Sequence, residues 1–135
     1  MAVHSNSALI PNILPGLAHR TLAGPEHGLK ELEIWSQSID AQAGTPPHRH
    51  DCEEAVVILD GEGTLSMAGE EVHFAAGDTV IIPRNEVHQI FNTGHSVLRL
   101  IAAFSMAPVR AEFPDGTRID LPWQQAAYEP ADAAR

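Results

Sequence analysis

The sequence predicts an all-β single domain, closed into a barrel or sandwich, and three observations carry that expectation. The chain has 135 residues, 44% of them hydrophobic, which suits one domain with one core. Between Lys30 and Phe104, short runs rich in β-branched and apolar residues are punctuated about every eight to twelve residues by Gly, Asn or Asp. No stretch of that region has the length and 3.6-residue period of a helix.

The elements follow in order. Residues 1–28 are rich in Pro, Gly and His, with one short apolar stretch (Leu9, Ile10, Ile13, Leu14), and read as an extended N-terminal arm docked on the barrel or on a partner subunit. Residues 29–106 are the barrel core. Its strands are expected in KELEIWSQSI, EAVVIL, TLSM, EVHFA, TVIIP, VHQIFN and VLRLIAAF, and Pro83 ends the fifth. Gly61, Gly63, Gly69, Gly77 and Gly94 sit in the intervening turns, where φ > 0 is expected. Residues 107–135 are a C-terminal extension, with a turn at Pro114 to Thr117 and a short helix from Trp123 to Tyr128 behind Pro122.

The formal net charge of −10 excludes two partner classes. So acidic a surface repels phosphate backbones and anionic lipid heads, so neither nucleic acid nor a membrane surface is expected. The single cysteine, Cys52, cannot close an internal disulfide. The first residues show no basic start and no long apolar run, so a cytoplasmic location is the default expectation.

The chemistry lies in His48-Arg49-His50. Pro46 and Pro47 deliver the chain extended into the histidines. In a strand, residues two apart share a face, so His48 and His50 project together, with Arg49 opposite. Glu54 lies an even offset further on and joins them if the strand is nearly continuous. Burying two imidazoles and a carboxylate side by side requires partners, and a metal ion supplies one to all three. His88 is distant in sequence, but the intervening hairpins can return it to the first strand. Three imidazoles and one carboxylate suit Fe, Mn, Ni, Cu, Co or Zn, and they do not suit a closed structural zinc site.

These residues resemble the two motifs of the cupins. The first reads here as His48-x-His50, three residues, Glu54, six residues, Gly61; the second as Gly77, five residues, Pro83, then Asn85, His88 and, after three more residues, Asn92. The resemblance covers roughly Leu32 to Phe104. It implies a single-domain cupin, a double-stranded β-helix or jelly-roll barrel, holding one divalent transition metal ion inside through His48, His50, Glu54 and His88. Two departures stand out. Asn85 occupies a position usually held by Gly, although Asn tolerates the left-handed conformation, and Gly44 lies closer to His48 than the family's opening Gly does to its first histidine.

Other residues have plainer readings. His4, His19, His27, His73 and His95 are expected at the surface. Cys52 has the parity of His50 and Glu54, unless DCEE bulges and turns it away. Either Trp35 and Gln37 or Ile34 and Ser36 line the cavity, and Arg99 faces either the interior or solvent. Asn92 is expected to bond backbone.

Four protein ligands leave a six-coordinate ion room for a small molecule that chelates through oxygen. The cupin resemblance then implies a metal-dependent enzyme, with a quercetinase-like or diketone-cleaving dioxygenase preferred and Glu54 as ligand and base. The alternatives are a non-catalytic metabolite-binding or sensing cupin, or a non-oxidative lyase, isomerase or cyclase. The family habit of pairing sheets, the apolar arm and strands such as VLRLIAAF point to a homodimer.

Overall fold

Alternation with a period of two organises the strands. In KELEIWSQSI the residues Glu33, Trp35, Gln37 and Ile39 are buried while their neighbours are not, and in VLRLIAAF the inward set is Leu98, Leu100, Ala102 and Phe104. The structure, a computed structural model, describes residues 2–124. It contains nine strands: β1 (Asn12–Leu14), β2 (Leu17–Ala23), β3 (Glu33–Ile39), β4 (Glu54–Asp60), β5 (Glu62–Met67), β6 (Glu70–Ala75), β7 (Thr79–Ile82), β8 (His88–Phe91) and β9 (Leu98–Phe104). They form a six-stranded sheet ordered β1-β2-β3-β9-β4-β7 and a three-stranded sheet ordered β6-β5-β8, with every neighbouring pair antiparallel. Two antiparallel sheets facing each other over a shared core make the jelly-roll barrel that the sequence predicts. That core includes Trp35, Ile39, Val56, Ile82, Ile90, Leu100 and Phe104.

Residues 12–23 differ from the extended arm expected of them. β1 pairs with β2, and β2 pairs along most of its length with β3, so this segment extends the large sheet. Within it His19 is fully buried, with Leu17 and Thr21 at the same parity only partly buried. β9 lies between β3 and β4, so the run VLRLIAAF is a central strand and offers no edge. At the other end Pro114 to Thr117 turns as expected, with Thr117 N–H donating to Asp115 at 2.8 Å. Pro122–Gln124 is one turn of 3-10 helix; the rest of the helix expected to reach Tyr128 lies outside the described residues.

The turn residues divide into two kinds. Gly61, Gly69 and Gly77 have positive φ, and so does Asn85 at φ 63°, which confirms that Asn serves where the cupin motif usually has Gly. Gly63 and Gly94 are not in that conformation, contrary to expectation. Gly63 is needed for space: a Cβ there would lie 2.4 Å from the Phe91 carbonyl oxygen and 2.7 Å from the Phe74 ring, closer than any side chain tolerates.

Candidate metal centre and ligand cavity

The His48-x-His50 segment is bridged to the start of β8. His48 and His88 exchange backbone hydrogen bonds of 3.0 and 2.9 Å, which sets two histidines distant in sequence directly opposite each other. After His50 the chain bends through Asp51 to Glu53 and resumes as β4 at Glu54, whose register neighbours are Ile82 and Phe104. The turn holding Asn85 closes onto this bend, with Asn85 N–H donating to the His50 carbonyl at 2.7 Å.

One ring nitrogen from each of His48, His50 and His88 lies within 4.8 Å of the others. Glu54 Oε1 is 3.3 Å from His88 Nε2 and 3.5 Å from His50 Nε2. The remaining ring nitrogens fix the chemistry. Each Nδ1 meets a backbone carbonyl: His48 with Pro46 at 2.7 Å, His50 with Arg110 at 2.8 Å, His88 with Glu86 at 2.9 Å. A carbonyl only accepts, so each Nδ1 carries the hydrogen and each neutral ring turns an Nε2 lone pair inward, the arrangement of a metal-ligating histidine. His50 Nε2, His88 Nε2 and Glu54 Oε1 are buried and have no hydrogen-bond partner. A divalent transition metal ion fits this donor set, because it satisfies three lone-pair donors and a carboxylate that otherwise face one another.

Burial favours the neutral form of His48 and His50. It lowers the His48 pKa to about 4, with the neighbouring His88 and His50 adding to the effect, and it lowers that of His50 against the opposing pull of Glu54 and the Arg110 carbonyl. Neutral imidazole is the form that ligates.

The cluster forms one end of a cavity of about 260 Å³. Trp35 and Gln37 line it, which settles that choice against Ile34 and Ser36. Trp35 stands opposite Ala102 on β9, and the small side chain leaves room before the indole. Apolar residues of β1 and the C-terminal segment, among them Leu14, Leu121 and Trp123, complete the wall. Among the described residues, no lysine or arginine lines it. Cys52 is buried but outside the cavity, and burial raises its thiol to about 11, so it is an inert core residue. Arg99 faces outward and reaches Ser38 Oγ at 3.3 Å. Asn92 bonds backbone, donating to the Ile39 and Ser96 carbonyls and accepting from Gly94 N–H.

Three features escape a sequence reading. His19, expected at the surface, is fully buried and stacks on Trp123 at 3.6 Å between ring centroids. Glu33 is a second buried carboxylate. The segment from Arg110 to Trp123, expected only as an extension, orients His50 and walls the cavity. For His19 and Glu33 the signal was present as inward parity, with Leu17 and Thr21 in one case and Trp35 and Gln37 in the other.

This barrel, with a histidine triad facing its interior, is a cupin. An RmlC-like cupin from Shewanella frigidimarina superposes with a TM-score of 0.71 at 21% identity, over 80% of this chain and 93% of that one. The family model for auxin binding protein matches residues 11–120, and the chain belongs to the auxin-binding protein family. Auxin-binding protein 1 of Arabidopsis thaliana is 43% identical over 71% of this chain, and auxin-binding protein T85 of Nicotiana tabacum is 40% identical over 84% of it. The chain covers 54% of the length of the first and 72% of the second. The family corrects one expectation: its members are secreted or reside in the lumen of the endoplasmic reticulum, so the cytoplasmic location does not stand. That expectation had rested only on the lack of a legible leader. No helix among the described residues is long and apolar enough to cross a membrane.

Proposed function

We propose that the protein is a binding module that captures a small aromatic carboxylic acid of the auxin class at a metal ion held by His48, His50, Glu54 and His88. The observation that carries this reading is the pairing of an apolar, tryptophan-walled cavity with a cluster of inward lone pairs at its end. The cavity lies near the small end of the range for ligand pockets, which suits a one- or two-ring molecule. An anion entering it finds no lysine or arginine among the described residues, and the net charge of −10 opposes its approach. The ion, when bound, supplies the missing positive charge and open positions for a carboxylate. The histidines hold it through Nε2, their backbone-bonded Nδ1 atoms keep the rings in place, and Trp35 and Trp123 exclude water around the ring of the ligand.

The dioxygenase reading drawn from the wider cupin resemblance has less behind it. The relatives carry the names of binding proteins, and among the described residues Glu54 and Asp120 are the only carboxylates in the cavity wall. The test is to load the protein with Co(II) and titrate indole acetic acid, its methyl ester, and diketone and flavonol chelators while following the visible spectrum and oxygen uptake. The acid should shift the spectrum, the ester should not, and no oxygen should be consumed. Turnover of a chelator with oxygen uptake would return the enzyme reading.

The homodimer is also a proposal, on a different surface from the one the sequence suggested. On the outer face of the large sheet, Val57 on β4 and Ile81 on the edge strand β7 are 42% and 65% exposed. A second copy is the simplest cover for an apolar face of this kind. Light scattering should give twice the chain mass, and Ile81→Glu should halve it; a monomer at micromolar concentration would remove the dimer.

A further inference from the structure

Two carboxylates are buried among the described residues, Glu54 at the metal cluster and Glu33 beneath the C-terminal segment. Glu33 is 1% exposed and does not line the cavity. Taking a carboxylate out of water without a cation is costly, so its two acceptor bonds deserve an explanation. One oxygen, Oε2, accepts the indole N–H of Trp35 at 2.6 Å. The other, Oε1, accepts the backbone N–H of Val109 at 3.2 Å.

Val109 links Glu33 to the histidine cluster. Its side chain is fully buried, and its carbonyl accepts from the Gln124 side-chain amide. The next carbonyl, that of Arg110, accepts from Nδ1–H of His50 at 2.8 Å. Two residues later Glu112 exchanges backbone hydrogen bonds with Arg49. His48 and His88 take their orientation locally, from carbonyls two residues back in the chain. His50 alone depends on a segment 60 residues away.

We propose that Glu33 is a positioning residue: it holds the Val109–Arg110 peptide so that the Arg110 carbonyl fixes His50 in the Nδ1–H form, with Nε2 turned to the cluster. Its effect on metal affinity rests on the metal-binding reading, whereas the state of the His50 ring does not. Through Trp35 the same carboxylate ties this segment to the cavity wall, so one buried group registers the ligand pocket against the histidine cluster.

The test uses the full chain, metal-free, with 15N-labelled histidine. Two-bond 1H–15N correlation spectra report which ring nitrogen carries the hydrogen. In the parent protein all three histidines should show a single Nδ1–H form. In Glu33→Ala, and in the volume-filling Glu33→Leu, His50 alone should become a mixture, while His48 and His88 keep theirs. Glu33→Gln retains an oxygen for Val109 N–H but sets an amide against the Trp35 N–H. It should therefore lose stability and still keep His50 fixed, a separation that a merely structural role would not produce. Co(II) affinity, measured by competition with a chromophoric chelator, should fall about tenfold to a hundredfold in the Ala and Leu variants and far less in the Gln variant. If folded Glu33→Leu leaves the His50 signals and Co(II) affinity unchanged, the proposal is overturned. If His50 responds as expected but the parent protein takes up no Co(II), the metal reading fails and the positioning role stands.

Discussion

Replacing Glu54 by glutamine should stabilise the metal-free protein while crippling metal binding. Glu54 Oε1 lies 3.3 Å and 3.5 Å from the Nε2 atoms of His88 and His50, and all three atoms are buried without a hydrogen-bond partner. Because both Nδ1 atoms donate to carbonyls, both Nε2 atoms carry lone pairs, and the carboxylate faces acceptors. An amide placed there turns two N–H bonds toward the two lone pairs. Leaving one buried polar group unsatisfied costs about 1–3 kcal/mol, so relieving one to two of them, at imperfect distances, should gain about 1–3 kcal/mol. For a domain of this size that is about 4–12 °C in Tm. The assay is calorimetric unfolding of chelator-treated parent and Glu54→Gln at pH 8, where the imidazoles are neutral, followed by the same scans with excess Zn(II) or Co(II). The parent should gain more from the metal than the variant, so the order of stability should invert; at a thousandfold excess over Kd, saturation adds about 4 kcal/mol. If the metal-free variant is less stable than the metal-free parent, the cluster is a self-satisfied polar core and the argument for an ion there collapses.

Two further outcomes follow from other parts of the barrel. His19, buried and uncharged with a pKa lowered to about 3 by desolvation, binds fewer protons folded than unfolded between that value and about 6.5. Its contribution is therefore complete above about pH 6.5 and declines as the pH falls, by up to about 1.4 kcal/mol per unit; urea titrations from pH 7 to 5 should show a shallower loss for His19→Gln than for the parent. Gly63→Ala places a methyl group 2.4 Å from the Phe91 carbonyl and against Phe74, so it should cost about 1–3 kcal/mol by overpacking, read from the same titrations, and an unchanged midpoint would mean that β5 and β8 are less closely apposed than described.

Much of this was legible in the sequence, for identifiable reasons. Most of the strands and their inward residues follow from alternation; an even spacing sets His48 and His50 together, one cross-bridge sets His88 opposite His48, and the bend from Asp51 to Glu53 returns Glu54 to them. Asn85 adopts positive φ as its turn requires. The parts that could not be read are the tertiary ones. Nothing local says that residues 12–23 extend a sheet, since that depends on β3 presenting a free edge to them. Nothing local says that Arg110, rather than a neighbour in the chain, orients His50. The two polar residues at inward parity, His19 and Glu33, were readable as strand positions but not as buried ones, because a single polar residue on a strand is ordinarily solvated. Location was beyond reach altogether, because the absence of a leader in a stretch of sequence carries no information about where the protein works.

The most direct measurement is isothermal titration of indole acetic acid into the protein with and without its ion, using chelator-treated samples reloaded with Zn(II) or Co(II). The loaded protein should bind the acid, the methyl ester should bind at least about tenfold more weakly, and the metal-free protein and a folded His88→Ala variant should bind neither appreciably. Equal affinity for the acid with and without metal, or equal affinity for acid and ester, would contradict the claim that the histidine cluster and the apolar cavity form a single site for an aromatic carboxylate.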